Sequence, residues 1–490
     1  MNKQELLRQI DISPKQMEGL PEEIPGIAYD SRKVKPGDLF VCIPGYTSDG
    51  HRYIADAVKK GASCVMVQTG CAYETPQVPV VQVKDTRDAL SAMSEHLFHD
   101  PSRKLLIIGV TGTNGKTTIT YMLERVLLTA GKSPGRIGTI SYKAGSHVYE
   151  AVNTTPESYE LSRMFRQMLD EGNDSCVMEV SSHSLAMHRV EHVEFDIGIF
   201  TNLTEDHLDF HPDFEAYFQA KKHLFSLVKK AGLINIDDPY GSRMYRELKE
   251  EGRRVFSCSV KDQQADYYAR VLEKTDTYSE VGLYHQKQRL TEMRIPIPGS
   301  FSVYNGLCAF AAACEGGISP ETAKEGIQSL PGVPGRFELV PNSRGVVVIV
   351  DYAHTPDALI KVLDTANEFK KGRLICVFGC GGDRDRKKRP MMGRAAGQRC
   401  DYAIITSDNP RTEDPEKIMK DVEEGITDTP CPYEMIQDRR QAIERAIGMY
   451  QKGDVILVAG KGHEDYQIIG TEKHHFDDKE VISQVLSQNG

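Results

Sequence analysis

The chain has 490 residues, a formal net charge of −10 and an ordinary 40% hydrophobic content, which suits roughly three domains at about 150 residues each. The acidic balance gives no chain-wide footprint for nucleic acid or an anionic membrane surface. The eleven scattered cysteines lack a C-x-x-C pair and read as reduced thiols of a cytoplasmic protein, and neither a signal peptide nor a bilayer-length apolar stretch is present.

Up to residue 100, short apolar runs at 38–43, 64–67 and 78–83 alternate with helical stretches, which predicts a small α/β domain closed by Asp100-Pro101-Ser102. The run 105–108 then enters Gly109-Val110-Thr111-Gly112-Thr113-Asn114-Gly115-Lys116-Thr117-Thr118. A strand, a glycine-rich turn and a helix are how proteins cradle nucleotide phosphates. Ile119, Met122, Leu123, Val126 and Leu127 supply the helical spacing, and Gly131 the stop. Loop N–H groups would surround a polyphosphate, Lys116 would reach its β- and γ-phosphates, and the Thr117 hydroxyl would ligate Mg²⁺. Val110 stands where the generic pattern has a glycine.

The runs 176–180 and 195–200 predict buried parallel strands of a doubly wound nucleotide domain. Glu179 ends the first, where ligands sit in open parallel sheets. It can hold the Mg²⁺ that Thr117 touches, or it can cap the strand end through backbone bonds. The segment Thr201-Asn202-Leu203-Thr204-Glu205-Asp206-His207-Leu208-Asp209 reads as a second metal or phosphate shell, or as a solvated helix start capped by Thr204. Next, Phe214, Tyr217, Phe218, Lys221, Leu224, Phe225 and Val228 form one stripe at helical spacing, with Lys222 and His223 pointing elsewhere. A buried Lys221 has a lowered pKa and an available amine. Such a lysine can pair with a carboxylate, react with CO₂ to give a carbamate, or snorkel to solvent.

The turn-rich residues 331–336 break the pattern, and apolar runs at 346–350, 374–378, 402–406 and 455–459 predict a third α/β domain. The expected organisation is an α/β protein of three domains. A doubly wound P-loop-type nucleotide domain at 101–334 is flanked by a small α/β domain at 1–100 and a Rossmann-like α/β domain at 335–490.

Five strings together, Gly112-Thr113-Asn114-Gly115-Lys116-Thr117-Thr118, Asn202-Leu203-Thr204-Glu205-Asp206-His207, Ala220-Lys221, Asp351-Tyr352-Ala353-His354-Thr355-Pro356 and Gly460-Lys461-Gly462-His463-Glu464, resemble the Mur ligases. Within that family the likeness is to enzymes adding the third residue of the peptidoglycan stem peptide. The resemblance implies ATP-dependent amide formation on UDP-N-acetylmuramoyl-L-alanyl-D-glutamate through an acyl phosphate, with charge stabilised by positioned cations. It implies two Mg²⁺ ions, one on Thr117 and Glu179, the other on His207 and a Lys221 carbamylated by CO₂ or bicarbonate. Catalytic roles fall to Lys116, Lys221, His207 and Glu179.

The same resemblance assigns further contacts. Gly112 to Thr118, Asn305, Arg336 and Asp351 would bind ATP. Ser31 and the segments Tyr29-Asp30-Ser31-Arg32 and Gly45-Tyr46-Thr47-Ser48-Asp49-Gly50 would hold the uridine diphosphate. Asn153, Thr154, Thr155, Ser181 and Arg189 would contact sugar, diphosphate and peptide, with Met187 standing where some relatives carry glutamine. Read from position alone, Arg336 is a hinge-loop surface charge and Asp351 a strand-end cap. Asp408, Asn409, Pro410 and Arg411 resemble the motif of meso-diaminopimelate-adding enzymes. Arg411 would grip a carboxylate that L-lysine lacks and repel the ammonium lysine has instead. Arg384 would bind a carboxylate at one end of the acceptor, and Gly460 and Glu464 would meet its distal centre. Residues 386–389 read as a solvated basic run. Alternatives are an L-lysine-adding or folylpolyglutamate-type ligase, or a P-loop ATPase switch. A monomer is expected.

Overall fold

The computed structural model describes residues 1–45 and 48–488. Tyr46 and Thr47, inside the segment assigned to the diphosphate, lie outside the described residues. The chain divides into two compact units, Met1–Thr111, Gly131–Ile199 and Gln219–Gly232 forming the first, and Gly112–Ala130, Phe200–Phe218 and Leu233–Gly490 the second.

In the first unit, β1 (Ile27–Ala28), β2 (Leu39–Val41), β3 (Cys64–Gln68) and β4 (Val80–Val83) make a parallel sheet in that order. Successive side chains of a strand leave opposite faces. Leu39, Val41, Cys64 and Met66 therefore bury against Leu90 and Met93 of helix Thr86–Leu97, whereas Phe40, Cys42, Val65 and Val67 join Ile54 and Ala57 in a separate cluster. Burial on both faces explains why these strands read as continuous apolar runs.

The same unit carries β5 (Leu106–Thr111), β6 (Pro134–Ile137), β7 (Ser141–Ala144), β8 (His147–Glu150), β9 (Ser175–Glu179) and most of β10 (Phe195–Phe200), ordered β10-β5-β9-β6-β7-β8. β5, β9 and β6 run parallel, and β7 and β8 extend the edge as an antiparallel hairpin. The register sets Glu179 opposite Val110, at the carboxyl end of the buried strands. β5 runs three residues beyond the apolar run that predicted it.

β11 (Val228–Asn235) begins in the first unit and finishes in the second. The second unit continues with β12 (Val255–Ser259), β13 (Tyr267–Lys274), β14 (Ser279–His285) and β15 (Gln288–Ile295), the last three an antiparallel meander. The sequence reading named no strand between residues 201 and 330. Exposed positions such as Arg270, Glu273, Arg289 and Glu292 dilute the apolar signal of this meander to single alternating residues.

β16 (Glu338–Leu339), β17 (Val347–Asp351), β18 (Leu374–Phe378), β19 (Tyr402–Ile405), β20 (Tyr433–Met435) and β21 (Val455–Ala459) build a sheet ordered β16-β17-β21-β18-β19-β20. All neighbours are parallel except β16 and β17. β22 (Tyr466–Ile469) and β23 (Glu472–His475) form a separate hairpin. Val348, Val350, Ile375, Val377, Ile404, Ile456 and Val458 line one core with Ile443, Ile447 and Ile482 from flanking helices. Because β21 returns between β17 and β18, the strand order reverses there, and ligands of such sheets bind beyond the carboxyl ends at that reversal. Asp351 ends β17, Gly460 follows β21, and residues 406–411 follow β19.

Helices Lys388–Gly397 and Pro415–Ile426 cover this sheet and touch through Gly425, where a Cβ would lie 1.7 Å from the carbonyl oxygen of Pro390. Gly425→Ala forces these backbones apart, an overpacking cost of about 2 kcal/mol. The expected result is a lower urea midpoint at unchanged slope; an unaltered midpoint contradicts the tight crossing.

Candidate active site

The phosphate loop turns at Gly112 (φ 146°) and Gly115 (φ 91°) before helix Lys116–Thr129. No side chain caps that helix, so its first N–H groups face the loop's hollow, the arrangement that receives a phosphate. Lys116 Nζ donates to the carbonyls of Gly112 at 2.9 Å and Thr113 at 3.0 Å, which holds its ammonium across the loop.

The segment after β10 is built onto this loop. Thr113 N donates to Asn202 O at 2.9 Å and Asn114 N to Asn202 Oδ1 at 3.0 Å. Thr201 Oγ1 donates to Asn114 O at 2.6 Å, and Thr204 N to Thr113 Oγ1 at 3.0 Å. Thr204 therefore braces the loop instead of capping a helix, and the next helix begins only at Phe214. His207 sits at φ 56° with its Nε2 3.4 Å from Asp206. Burial raises the Asp206 carboxyl, but His207, His354 and Lys388 together hold it below its usual range.

One carboxylate oxygen gathers three segments. Asp357 Oδ2 accepts from Asn114 Nδ2 at 2.9 Å, Thr204 Oγ1 at 3.2 Å and Lys361 Nζ at 2.6 Å. Sequence reasoning missed Asp357. Its signal, an acid in the first turn of helix Pro356–Phe369, is indistinguishable from ordinary dipole compensation.

Arg336 is not a surface charge. Its Nη2 donates to Thr117 Oγ1 at 3.1 Å, and its guanidinium lies 4.6 Å from the centre of the Tyr352 ring. Asp351 accepts from the N–H groups of Phe337 at 2.7 Å and Ala353 at 2.8 Å, the strand-end cap that position alone suggested. Burial pushes its carboxyl up to about 6 against the pull of Arg336. Asn305, on helix Ser300–Glu315, approaches the loop so closely that a Cβ on Gly115 would lie 2.4 Å from its Oδ1.

In the first unit, Glu179 accepts from Thr139 N at 2.9 Å and Thr139 Oγ1 at 3.2 Å. The backbone half of the capping reading is thus present, and the carboxylate is held in one orientation. Thr139 Oγ1 lies 3.1 Å from Thr154 Oγ1, Thr155 Oγ1 donates to Glu179 O at 2.9 Å, and Ser181 N donates to Thr155 Oγ1 at 3.1 Å. Arg189 Nη1 donates to Thr155 O at 3.0 Å and its Nε lies 3.2 Å from Glu157. These contacts gather Thr154, Thr155, Ser181 and Arg189 around the end of β9. Asn153 is exposed beside them, with its N–H on the Tyr142 hydroxyl at 3.0 Å. Ser31 is half-buried in the turn after β1.

Lys221 is 1% exposed on helix Phe214–His223, flanked by buried Tyr217, Phe218, Leu224 and Phe225. This excludes snorkelling and agrees with the stripe. Lys222 and His223 are only partly covered. Among the described residues no cluster of three or more His, Cys, Asp or Glu is poised to hold a metal. Mg²⁺ takes one or two protein oxygens plus substrate phosphates and water, and the Thr117 hydroxyl and the Glu179 carboxylate are oxygen donors of that kind.

Beyond β19, Asp408 and Asn409 are buried and Arg411, at φ 51°, donates from Nη1 to Gly382 O at 2.9 Å. Asn409 Nδ2 donates to Glu464 Oε2 at 2.8 Å, and Gly460 N to Asp351 O at 3.0 Å. Asp408, Asn409, Pro410, Arg411, Gly460 and Glu464 thus share the carboxyl edge of one sheet. Burial and then the Asp408 charge raise the Glu464 carboxyl, while Lys461 and Asn409 oppose them. Arg384 is exposed, its Nη1 donating to Asp383 O at 3.3 Å. The solvated-run reading of residues 386–389 fails at Arg389, which is fully buried and pairs with Glu413 at 2.7 Å and Asp421 at 2.8 Å. That guanidinium holds Glu413 down at about 2. Arg386 stays exposed.

Three family profiles match in order: Mur ligase family, catalytic domain, at residues 23–97; Mur ligase middle domain at 110–313; and Mur ligase, glutamate ligase domain, at 335–462. The UDP-N-acetylmuramoyl-L-alanyl-D-glutamate--2,6-diaminopimelate ligase of Clostridioides difficile (strain 630) is 48% identical over 481 residues, covering 95% of this chain and 96% of the relative. A solved structure of a ligase of that name superposes with TM-score 0.70 at 31% identity, over 100% of this chain and 99% of its own. Mycobacterium tuberculosis folylpolyglutamate synthase complexed with ADP shares the fold, with TM-score 0.63 at 16% identity over 76% of this chain and 91% of its own.

The shared oxygen of Asp357 makes a measurable demand. Asn114→Ala and Asp357→Ala should each weaken ADP binding in calorimetry, and the double variant should lose about 1 kcal/mol less than the sum, since contacting residues couple. Strictly additive losses would remove Asp357 from the phosphate loop's support.

Proposed function

Because this chain belongs to the Mur ligase family, we propose that it is the ATP-dependent ligase that joins meso-diaminopimelate to the D-glutamate of UDP-N-acetylmuramoyl-L-alanyl-D-glutamate in peptidoglycan precursor synthesis. The observation that carries this reading is the 48% identity, spread across 95% of the chain, to an enzyme of that name. The carboxyl edge where Asp408, Asn409, Arg411 and Glu464 meet supports it independently, because those side chains suit an acceptor bearing both a carboxylate and an ammonium at its far end.

The chemistry follows from the charges involved. A carboxylate resists attack by an amine because oxide is a poor leaving group, so ATP first transfers its γ-phosphoryl group to the D-glutamate side chain. The amine then attacks the acyl phosphate, and the tetrahedral intermediate collapses to amide and phosphate. Negative charge accumulates on phosphoryl oxygens and on the oxyanion, where fixed donors act most strongly. The uncapped N-terminus of helix Lys116–Thr129 and the Lys116 ammonium receive the phosphates. Arg336 adds a guanidinium beside Thr117, and Asn305 takes the adenine side. Mg²⁺, when bound, neutralises phosphoryl charge, and in this reading Thr117, Glu179, His207 and a carbamylated Lys221 hold two such ions.

Ser31, Asn153, Thr154, Thr155, Ser181 and Arg189 bind the UDP-linked substrate, and Arg384 takes a carboxylate of the acceptor. In this reading the domains are 1–100 for the UDP-linked substrate, 101–334 for ATP and 335–490 for the amino acid. No helix among the described residues is long and apolar enough to cross a membrane, and ATP with a UDP-linked substrate puts the reaction in the cytoplasm.

ADP release by the purified protein with ATP, Mg²⁺, bicarbonate and the UDP-linked dipeptide tests the assignment. We expect meso-diaminopimelate to exceed L-lysine by about 100-fold or more in kcat/KM, as sites built for a charged group reject an analogue lacking it. ADP release indifferent to either amino acid overturns the ligase reading, and equal use of lysine discards the role of Arg411. In the same assay Lys221→Ala should lose about 100-fold or more in kcat, the scale of a group acting directly in electrostatic stabilisation, while Lys222→Ala stays close to the parent. Equal effects at both positions would sink the carbamate.

A further inference from the structure

We propose that Lys461 is the positioning residue that makes the acceptor pocket selective for an ammonium at the acceptor's distal centre, by holding Glu464 anionic and aimed. The proposal rests on the reading above that Glu464 meets that ammonium.

Lys461 is fully buried, with a side chain 0% exposed. An ammonium taken out of water persists only where it is paired and hydrogen-bonded. Its Nζ donates to Glu464 Oε2 at 3.2 Å and to Asn409 Oδ1 at 3.3 Å, and the Tyr466 ring centre lies 5.5 Å away. Asn409 closes the triangle, because its Nδ2 donates to the same Glu464 oxygen at 2.8 Å. Its Oδ1 is fixed in turn by Ile468 N at 2.9 Å. The one ammonium therefore bridges the Asn409 amide and the Glu464 carboxylate, and it is the charged member of the triangle that holds Glu464 Oε2.

Electrostatics points the same way. Facing Glu464 are the Asp408 carboxylate, the Tyr352 hydroxyl 3.4 Å from its Oε1, Arg439, Asn409 and Lys461. Arg439 is already committed to Asp478 through two hydrogen bonds, at 2.8 and 2.7 Å. Lys461 is thus the cation directly hydrogen-bonded to Glu464. Remove it, and two carboxylates share a desolvated pocket, so Glu464 takes up a proton. A neutral carboxyl no longer answers an ammonium. Loss of the cation moves the Glu464 midpoint upward, so the defect should be largest at low pH and recover as pH rises.

The test compares meso-diaminopimelate with 2-aminopimelate, which keeps the distal carboxylate and lacks the distal amine, across pH 6 to 9 in the full-length protein. The parent should prefer diaminopimelate by about tenfold or more in kcat/KM. Lys461→Met should shrink that preference to about twofold, mainly through KM for diaminopimelate, and partly regain it at the alkaline end. Equal losses for both acceptors, or a preserved preference, overturn the proposal alone. A parent that takes both acceptors equally overturns the Glu464 reading and the proposal with it. Should Lys461→Met fail to fold, Lys461→Met/Glu464→Gln removes both charges together. That double variant should show the same preference as Glu464→Gln, and a twofold or larger difference in preference between the two overturns the proposal.

Discussion

A backbone that must bend around a polyphosphate cannot carry side chains on its inner turn, and the second unit is arranged around that constraint. A Cβ at Gly112 would lie 1.9 Å from Thr201 Oγ1, and one at Gly115 would meet Asn305. The space those missing atoms leave is filled by the elements that stiffen the loop. Thr201, Asn202 and Thr204 bond to its backbone and hydroxyl groups, and Asp357 takes the Asn114 amide. The bonds to Asn114 O and Thr113 Oγ1 satisfy loop acceptors that would otherwise draw on the phosphate donors, and those from the Asn114 N–H and amide commit loop donors to Asn202 and Asp357. The loop is thereby fixed in shape while the helix N–H groups remain directed inward.

The six-stranded sheet poses a different problem, because several carboxylates crowd one buried edge. Asp351 and Glu464 are both raised by burial, but their neighbours differ. Asp351 receives two backbone N–H bonds with Arg336 nearby, whereas Glu464 shares its oxygens with an ammonium and an amide. Backbone donors orient a carboxylate without adding charge, and Lys461 does both. Buried ion pairs contribute little net stability, so the pairing of Lys461 and Glu464 is better understood through what it does to the pocket's charge than through folding.

Much of this was legible in the sequence because buried parallel strands announce themselves as unbroken apolar runs. Those at 64–67, 374–378 and 455–459 fall on β3, β18 and β21. The phosphate loop and the stripe carrying Lys221 were legible for the same reason, since glycine spacing and helical periodicity are local properties. The meander of β13 to β15 was not, because its strands bury one face and alternate too weakly with charged residues. Asp357 was not legible either. Its role exists only when helix Pro356–Phe369 meets residues 114 and 204, and no local pattern encodes a contact across 243 positions.

The basic stretch after Gly382 shows the limit most sharply. Arg384, Arg386 and Arg389 are chemically identical and lie within six positions, yet Arg384 and Arg386 are exposed and Arg389 is fully buried between Glu413 and Asp421. What separates them is where helix Lys388–Gly397 begins. Residues before it project from a loop, whereas Arg389, in its first turn, is turned inward against helix Pro415–Ile426 and the loop before it. A bidentate fork answers two carboxylates there that a lysine could meet only as a point charge. The buried guanidinium also donates to Gly381 O at 3.3 Å, so it anchors the loop that presents Arg384. An arginine read as solvated surface thus anchors the loop from which an exposed one projects.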